Sequence, residues 1–367
     1  MKRSAAHTPA NPHALLGPEL LRFACAISVL LWHYQHFFFQ GNVPVGFETS
    51  HQPLYGLFKP FYEVGRLGVQ AFWALSGFIF FWKYAQPVAD GKVNARRFTV
   101  LRFSRLYPLH FLTLMAVVGL GFWYRQMHGV DFVYKHNDWP HFIMQLFMAS
   151  DWLGVDQSSF NGPIWSISIE VLVYALFFVL CKLGLTRWWQ AMGIMGAAAV
   201  VYALKVTDHP LVQCVFFFYL GGLTHMAHTA LLARPRWQQQ AVHMLGLLAV
   251  AIATVIVSSG KLKPVFYVAL LTPVTLLLLL DWVKPQSPWA TKWISRLGNT
   301  TYASYLLHYP IQLLLVCLSS SLGFALPLQE PAWLLAYIAG VFGLSILVYQ
   351  AIEMPAQTWL RERLGTR

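Results

Sequence analysis

Charge is what this sequence has least of. Only 11% of its 367 residues are Asp, Glu, Lys or Arg, against 57% hydrophobic and 16% aromatic. Soluble domains carry about 25% charged residues, so this chain has too few to cover itself with a hydrated surface. Its mean hydropathy of +0.51 agrees. A water-soluble enzyme or binding module is excluded, and an integral membrane protein is left.

Other absences narrow the reading. The four cysteines, Cys25, Cys181, Cys214 and Cys317, sit in apolar runs. None has a partner at disulfide or zinc-site spacing, so they read as small packing residues. His33 and His36 stand at HxxH spacing, but no third ligand accompanies them and no HExxH signature occurs, so no metal is expected. Internal repeats, low-complexity tracts and a second soluble domain are missing. The first apolar run begins near Leu20, holds Arg22 and lacks a small-x-small cleavage site, so no removed signal peptide is expected.

What the chain does have is apolar stretches of about 20 residues, the length that crosses a bilayer as a helix. Ten are expected, at 19–39, 64–84, 106–124, 163–183, 187–206, 210–231, 240–258, 264–283, 299–319 and 332–352. The fold class is therefore all-α and polytopic. The run "HFIMQLFMAS" (141–150) is too short to span and is expected at the interface. Several boundaries carry Trp or Tyr, as bilayer interfaces prefer.

Ten spans put both termini on one side. With the N-terminus inside, 19 of the 26 Lys and Arg fall on the inner side and 7 on the outer. The positive-inside rule then makes both termini cytoplasmic. The net charge of +12 reflects that asymmetry and is no sign of nucleic-acid binding. Three segments follow: a disordered cytoplasmic leader (1–18), a membrane domain (19–356) and a basic cytoplasmic tail (357–367). The longest outer loop, 125–162, carries Asp131, Asp138, Asp151 and Asp156, and the inner loop 85–105 is strongly basic.

Ionisable residues inside spans mark function by default, because each is costly in hydrocarbon. Arg22 and His33 are eleven residues apart, which is three helical turns plus about 20° and about 16 Å of rise. They share a face, with Arg22 near the cytoplasmic edge and His33 in the outer half. Glu170 follows Trp165, Ser166 and Ser168 in the fourth span, at a depth counted as similar to that of His33. A Glu170–His33 pair would free one imidazole nitrogen as a base, and a purely structural polar pair is the alternative. Arg102 and Arg105 are i,i+3 neighbours on one helix face, and guanidinium forks suit phosphate oxygens. Positive-inside anchoring explains the same charges without a ligand. Ser76 with Gly77 lets helices approach closely, His308 precedes Pro310 within a span, and Glu353 precedes Pro355. Each of these is structural when taken alone.

In order along the chain, Arg22 with His33, "GVQAFWALSGF", Arg102-x-x-Arg105 followed by LYP, "WSISIE", "SYLLHYP" and Glu353-x-Pro355 form a set. This set resembles the acyltransferase-3 family of integral-membrane acyltransferases, from about residue 15 to 356. Trp73 stands where phenylalanine is common, and "GPELLRF" replaces the usual approach to the first arginine. The resemblance implies transfer of an acyl group, usually acetyl from acetyl-CoA, to a carbohydrate hydroxyl at the cell surface. It implies a bacterial cytoplasmic membrane, an acyl-CoA co-substrate and no permanently bound cofactor. Arg22, Arg102 and Arg105 would take the donor's phosphorylated head. His33 and Glu170 would do the chemistry, directly or through an acyl-histidine, with Ser76, Trp165, Ser166 and His308 in support. The partners are acyl-CoA, a carbohydrate acceptor and the bilayer, with oligomeric state open. A proton-coupled transporter or flippase is the competing class, since such pathways also use membrane Glu and His. Against it, no matching halves appear and the basic cluster is one-sided. A scaffold without chemistry leaves the buried ionisable groups without purpose.

Overall fold

The computed structural model describes residues 16–153, 158–284 and 287–365. Most of the expected leader, Asp156 and the last two residues lie outside that set. The described chain is helical apart from one antiparallel pair of two-residue strands, Phe39–Gln40 and Val43–Pro44. Its helices are α1 (Leu16–His33), α2 (Tyr55–Val64), α3 (Gly68–Phe80), α4 (Gln86–Ala89), α5 (Ala95–His128), α6 (Trp139–Leu146), α7 (Trp165–Lys182) and α8 (Trp188–Ala203). They continue with α9 (Pro210–Leu232), α10 (Arg236–Ser258), α11 (Pro264–Trp282), α12 (Pro288–Asn299), α13 (Thr301–Leu322), α14 (Pro331–Val348) and α15 (Met354–Arg363).

Among the described residues nine helical stretches are long and apolar enough to cross a membrane, one fewer than expected. The difference is α8, whose 16 residues rise about 24 Å, short of a hydrocarbon core of about 30 Å. Packing nevertheless makes α8 a crossing. Gly65 lies against Ser28 and Gly68 against Cys25, while Leu21 packs with Leu75 and Phe78, so α3 runs antiparallel to α1. Gln70 bonds Gln213 at 3.3 Å and Gly221 sits on Ala74, so α9 runs parallel to α3. Trp73 Nε1 donates to the Ser166 carbonyl at 3.3 Å and Phe80 stacks on Tyr174, so α7 is parallel to α3 too. Two successive parallel helices need a return between them, and α8 makes it. With α8 counted, the described residues make ten passes, through α1, α3, α5, α7 to α11, α13 and α14.

The α3–α9 seam holds the bundle together. A methyl group added to Gly77 would collide with the Phe218 backbone, and one on Gly221 with the Ala74 backbone. Without hydrophobic drive between helices in lipid, such close backbone approach supplies the contact energy. Around the seam Phe80, Phe81, Phe177, Phe217, Phe218 and Tyr219 are buried together.

The segment expected at the interface goes deeper. Asp138 caps α6 by accepting from the His141 N–H at 3.0 Å, and α6 has only eight residues. Its far end is anchored inside the bundle: the Gln145 carbonyl meets His110 Nε2 at 2.7 Å, and the Gln145 amide donates to Ser159. Ser159 and Asn161 are fully buried. Asn161 donates to the Leu306 carbonyl at 3.1 Å. Residues 159–164, just before α7, are therefore buried in the bundle and not an exposed outer loop.

Candidate active site

A cavity of about 130 Å³ lies between α1, α3, α5, α7 and α13. Arg22, Arg102 and Arg105 line it with Glu170, Ser76, Tyr174, Trp73, Ser166, Tyr302 and Tyr305. The three arginines predicted to act together do meet here. Each is held by a different device. Arg22 Nη1 pairs with Glu19 one turn earlier at 3.5 Å. Arg102 donates to the Tyr84 hydroxyl at 2.6 Å and lies over the Phe80 and Tyr84 rings, 4.9 Å from each centroid. Arg105 Nη1 is 3.4 Å from Glu353.

Two wide helical turns explain these partners. The π-type turn Phe81–Ala85 ends the α3 span and delivers Tyr84 to Arg102. A second, Tyr349–Glu353, ends the α14 span and delivers Glu353 to Arg105. Such turns insert a residue into the helical repeat and are frequent at functional sites. Neither turn has a sequence signature, so the sequence singles out no role for Tyr84 and offers Glu353 as a span end and as part of the Glu-x-Pro motif, not as a partner of Arg105. Glu353 is fully buried, and its oxygens have no hydrogen-bond partner among the described residues.

Glu170 does not pair with His33. Its carboxylate sits among Ser76, Tyr174, Arg22 and Arg102 in the cavity wall. Ser76 Oγ also lies 3.2 Å from the Tyr174 hydroxyl. The depth comparison fails because the segment just before α7 is buried in the bundle and not an exposed outer loop. Ser166 Oγ is 2.7 Å from the Tyr305 hydroxyl, and Glu170 is one turn further toward the basic end. Glu170 therefore belongs to the arginine level of the site.

His33 has a different neighbour. Its ring centroid is 4.7 Å from that of His308 and 4.9 Å from that of His36. His33 Nδ1 lies 3.0 Å from the Val29 carbonyl, and His308 Nδ1 lies 3.3 Å from the Ser304 carbonyl. A carbonyl only accepts, so these contacts assign the proton of each neutral ring to Nδ1 and leave Nε2 with its lone pair. His308 Nε2 is buried with no partner among the described residues. Gln312, one turn beyond His308, donates to the His33 carbonyl at 2.9 Å and locks α1 to α13. Tyr305 bridges the two levels: it lines the cavity, and its ring is 6.0 Å from His308. Trp73 and Trp165 close the wall edge to face at 5.7 Å.

The site thus has two tiers along α13. Guanidinium groups gather at the basic end, and basic imidazole nitrogens lie across the bundle beyond Tyr305. That arrangement suits an anionic head at one end and proton abstraction at the other. Residues 15–350 match the acyltransferase-domain family. The chain belongs to that family. A relative, acyltransferase MdmB of Streptomyces mycarofaciens, is 28% identical over 208 residues, covering 54% of this chain and 48% of its own length. The chain thus spans about half the length of that curated relative. No solved structure matches the chain.

Proposed function

We propose that this membrane acyltransferase moves an acyl group, acetyl foremost, from cytoplasmic acyl-CoA to a carbohydrate hydroxyl at the outer side of a bacterial inner membrane. The observation that carries this reading is the cavity with Arg22, Arg102 and Arg105 at its basic end and Tyr305 toward the histidines. Guanidinium groups take the donor's phosphates bidentately. The pantetheine arm then runs along α13, over the roughly 16 Å of rise that separates Arg22 from His33.

His33 is the base. With Nδ1 held by Val29, Nε2 takes the proton of the acceptor hydroxyl as its oxygen attacks the thioester carbonyl. The carbon–sulfur bond breaks, and the departing thiolate takes a proton from the imidazolium. Glu170, Ser76 and Tyr174 serve the donor end, keeping Arg22 and Arg102 aimed into the cavity. Trp73, Trp165 and Ser166 wall off water along the arm.

The test uses purified protein in nanodiscs with radiolabelled acetyl-CoA, following CoA binding and acetyl turnover. His33→Ala abolishes turnover and keeps CoA binding, whereas Arg102→Ala/Arg105→Ala loses binding. Failure of the folded wild-type protein to bind CoA overturns the reading.

A further inference from the structure

A second cavity, about 430 Å³, opens sideways between α5 and α7 on the basic half of the bundle. Its walls are apolar and aromatic, including Phe98, Phe103, Phe147 and Phe178, and Arg102 is its one charged lining residue. Phe103, Phe147 and Val179 are exposed, so its mouth faces the hydrocarbon. The groove shares Arg102, Leu106 and Tyr174 with the active-site cavity.

We infer that this groove binds an anionic phospholipid of the leaflet at the basic side, with one acyl chain between α5 and α7. Length fits first. Val171 to Val179 rise about 12 Å, within the roughly 15 Å that is half of a hydrocarbon core of about 30 Å. Charge fits second. Lys182 follows Phe178 and Val179 by one turn on the same face of α7, and a Cβ on Gly91 would lie 4.0 Å from its Nζ. That places the ammonium one turn beyond the basic-side end of the groove's α7 wall, beside the loop that carries Gly91 and Lys92. Lys182 is exposed and makes no ion pair among the described residues, whereas Lys92 is held by Asp90 at 3.0 Å. Basic positions between transmembrane helices on this side suit anionic lipid headgroups.

The shared walls give the lipid a consequence. Tyr174 and Leu106 face the groove on one side and the active-site cavity on the other, so a chain in the groove packs against Tyr174, the neighbour of Glu170. The lipid is a component of the site's wall.

The test is native mass spectrometry of the full chain in detergent with equal phosphatidylglycerol and phosphatidylcholine. Wild type retains phosphatidylglycerol several-fold over phosphatidylcholine. Lys182→Glu, an exposed change, removes that preference and leaves a monodisperse protein. Ala175→Trp, which fills the groove, loses the retained lipid. Equal retention of the two lipids by wild type, or unchanged preference in Lys182→Glu, overturns the inference. So does a lipid-free dimer, which would mean a second copy covers the groove. CoA plays no part in this readout, so it stands or falls separately from the proposed reaction.

Discussion

The imidazoles of His33 and His308 face each other at 4.7 Å, each with Nδ1 tied to the carbonyl four residues earlier on its own helix. The two rings therefore present basic nitrogens in one buried place, from opposite walls formed by α1 and α13. Two like groups this close cannot both carry a proton comfortably. In the proposed reaction the pair would accept one proton, with His308 the imidazole placed to share the charge that His33 acquires.

From that pairing, His33→Ala removes general-base catalysis, a loss of about 10²–10⁴ in kcat. His308→Ala lowers kcat less and leaves the KM for acetyl-CoA unchanged, because the ring lies beyond Tyr305 from the arginines. Steady-state kinetics over pH separates the two. An unaltered pH–rate profile in His308→Ala would show that the second ring is only packing.

At the arginine level, Arg102→Lys keeps the charge but loses the planar fork that reaches Tyr84 and stacks on two rings. A hydrogen bond to a charged group contributes about 1.5–3 kcal/mol, roughly a 10- to 100-fold rise in donor KM. The kcat at saturating donor stays near wild type. Isothermal titration with CoA in nanodiscs reads the same change without turnover.

Glu170→Gln separates two readings of the carboxylate. Set among Ser76, Tyr174, Arg22 and Arg102, it is expected to act on donor affinity, and the amide retains part of its polar contacts. The expected change is in acetyl-CoA KM, with the pH–rate profile unmoved. A displaced profile would mean that Glu170 reaches His33 during turnover after all.

Much of this was legible in the sequence, and the exceptions have physical reasons. The ten passes and their common basic side follow from hydropathy and charge asymmetry, and the gathering of Arg22, Arg102 and Arg105 at one donor-head site is what the family resemblance implied. The short α8 reads as a full span because Leu204 and Val206 carry its apolar run past the helix end at Ala203. The depth of Glu170 was misread because the polar segment around Ser159 and Asn161 looks like an outer loop, although it is buried. Gln145 holds Ser159 and the α13 backbone accepts from the Asn161 amide, contacts that only tertiary structure reveals. Tyr84 reaches Arg102 through a widened turn that leaves no mark in residue order.

The α3–α9 seam supplies the last prediction. Gly77 and Gly221 face the opposing backbone with no room for a methyl group, and backbone cannot move aside as a flexible side chain can. Overpacking typically costs about 1–3 kcal/mol, occasionally more, and here α3 carries site residues, Trp73 and Ser76, while Gln213 ties α9 to α3 through Gln70. Gly221→Ala lowers the melting temperature and weakens donor binding together, as α3 shifts Ser76 away from Glu170. Gly340→Ala on α14 has open space around it and changes neither. Thermal-shift measurements by size-exclusion chromatography, paired with CoA titration, check both variants. A Gly221→Ala protein as stable as wild type would mean that the two helices are held apart in the membrane and that the seam is not what fixes the site.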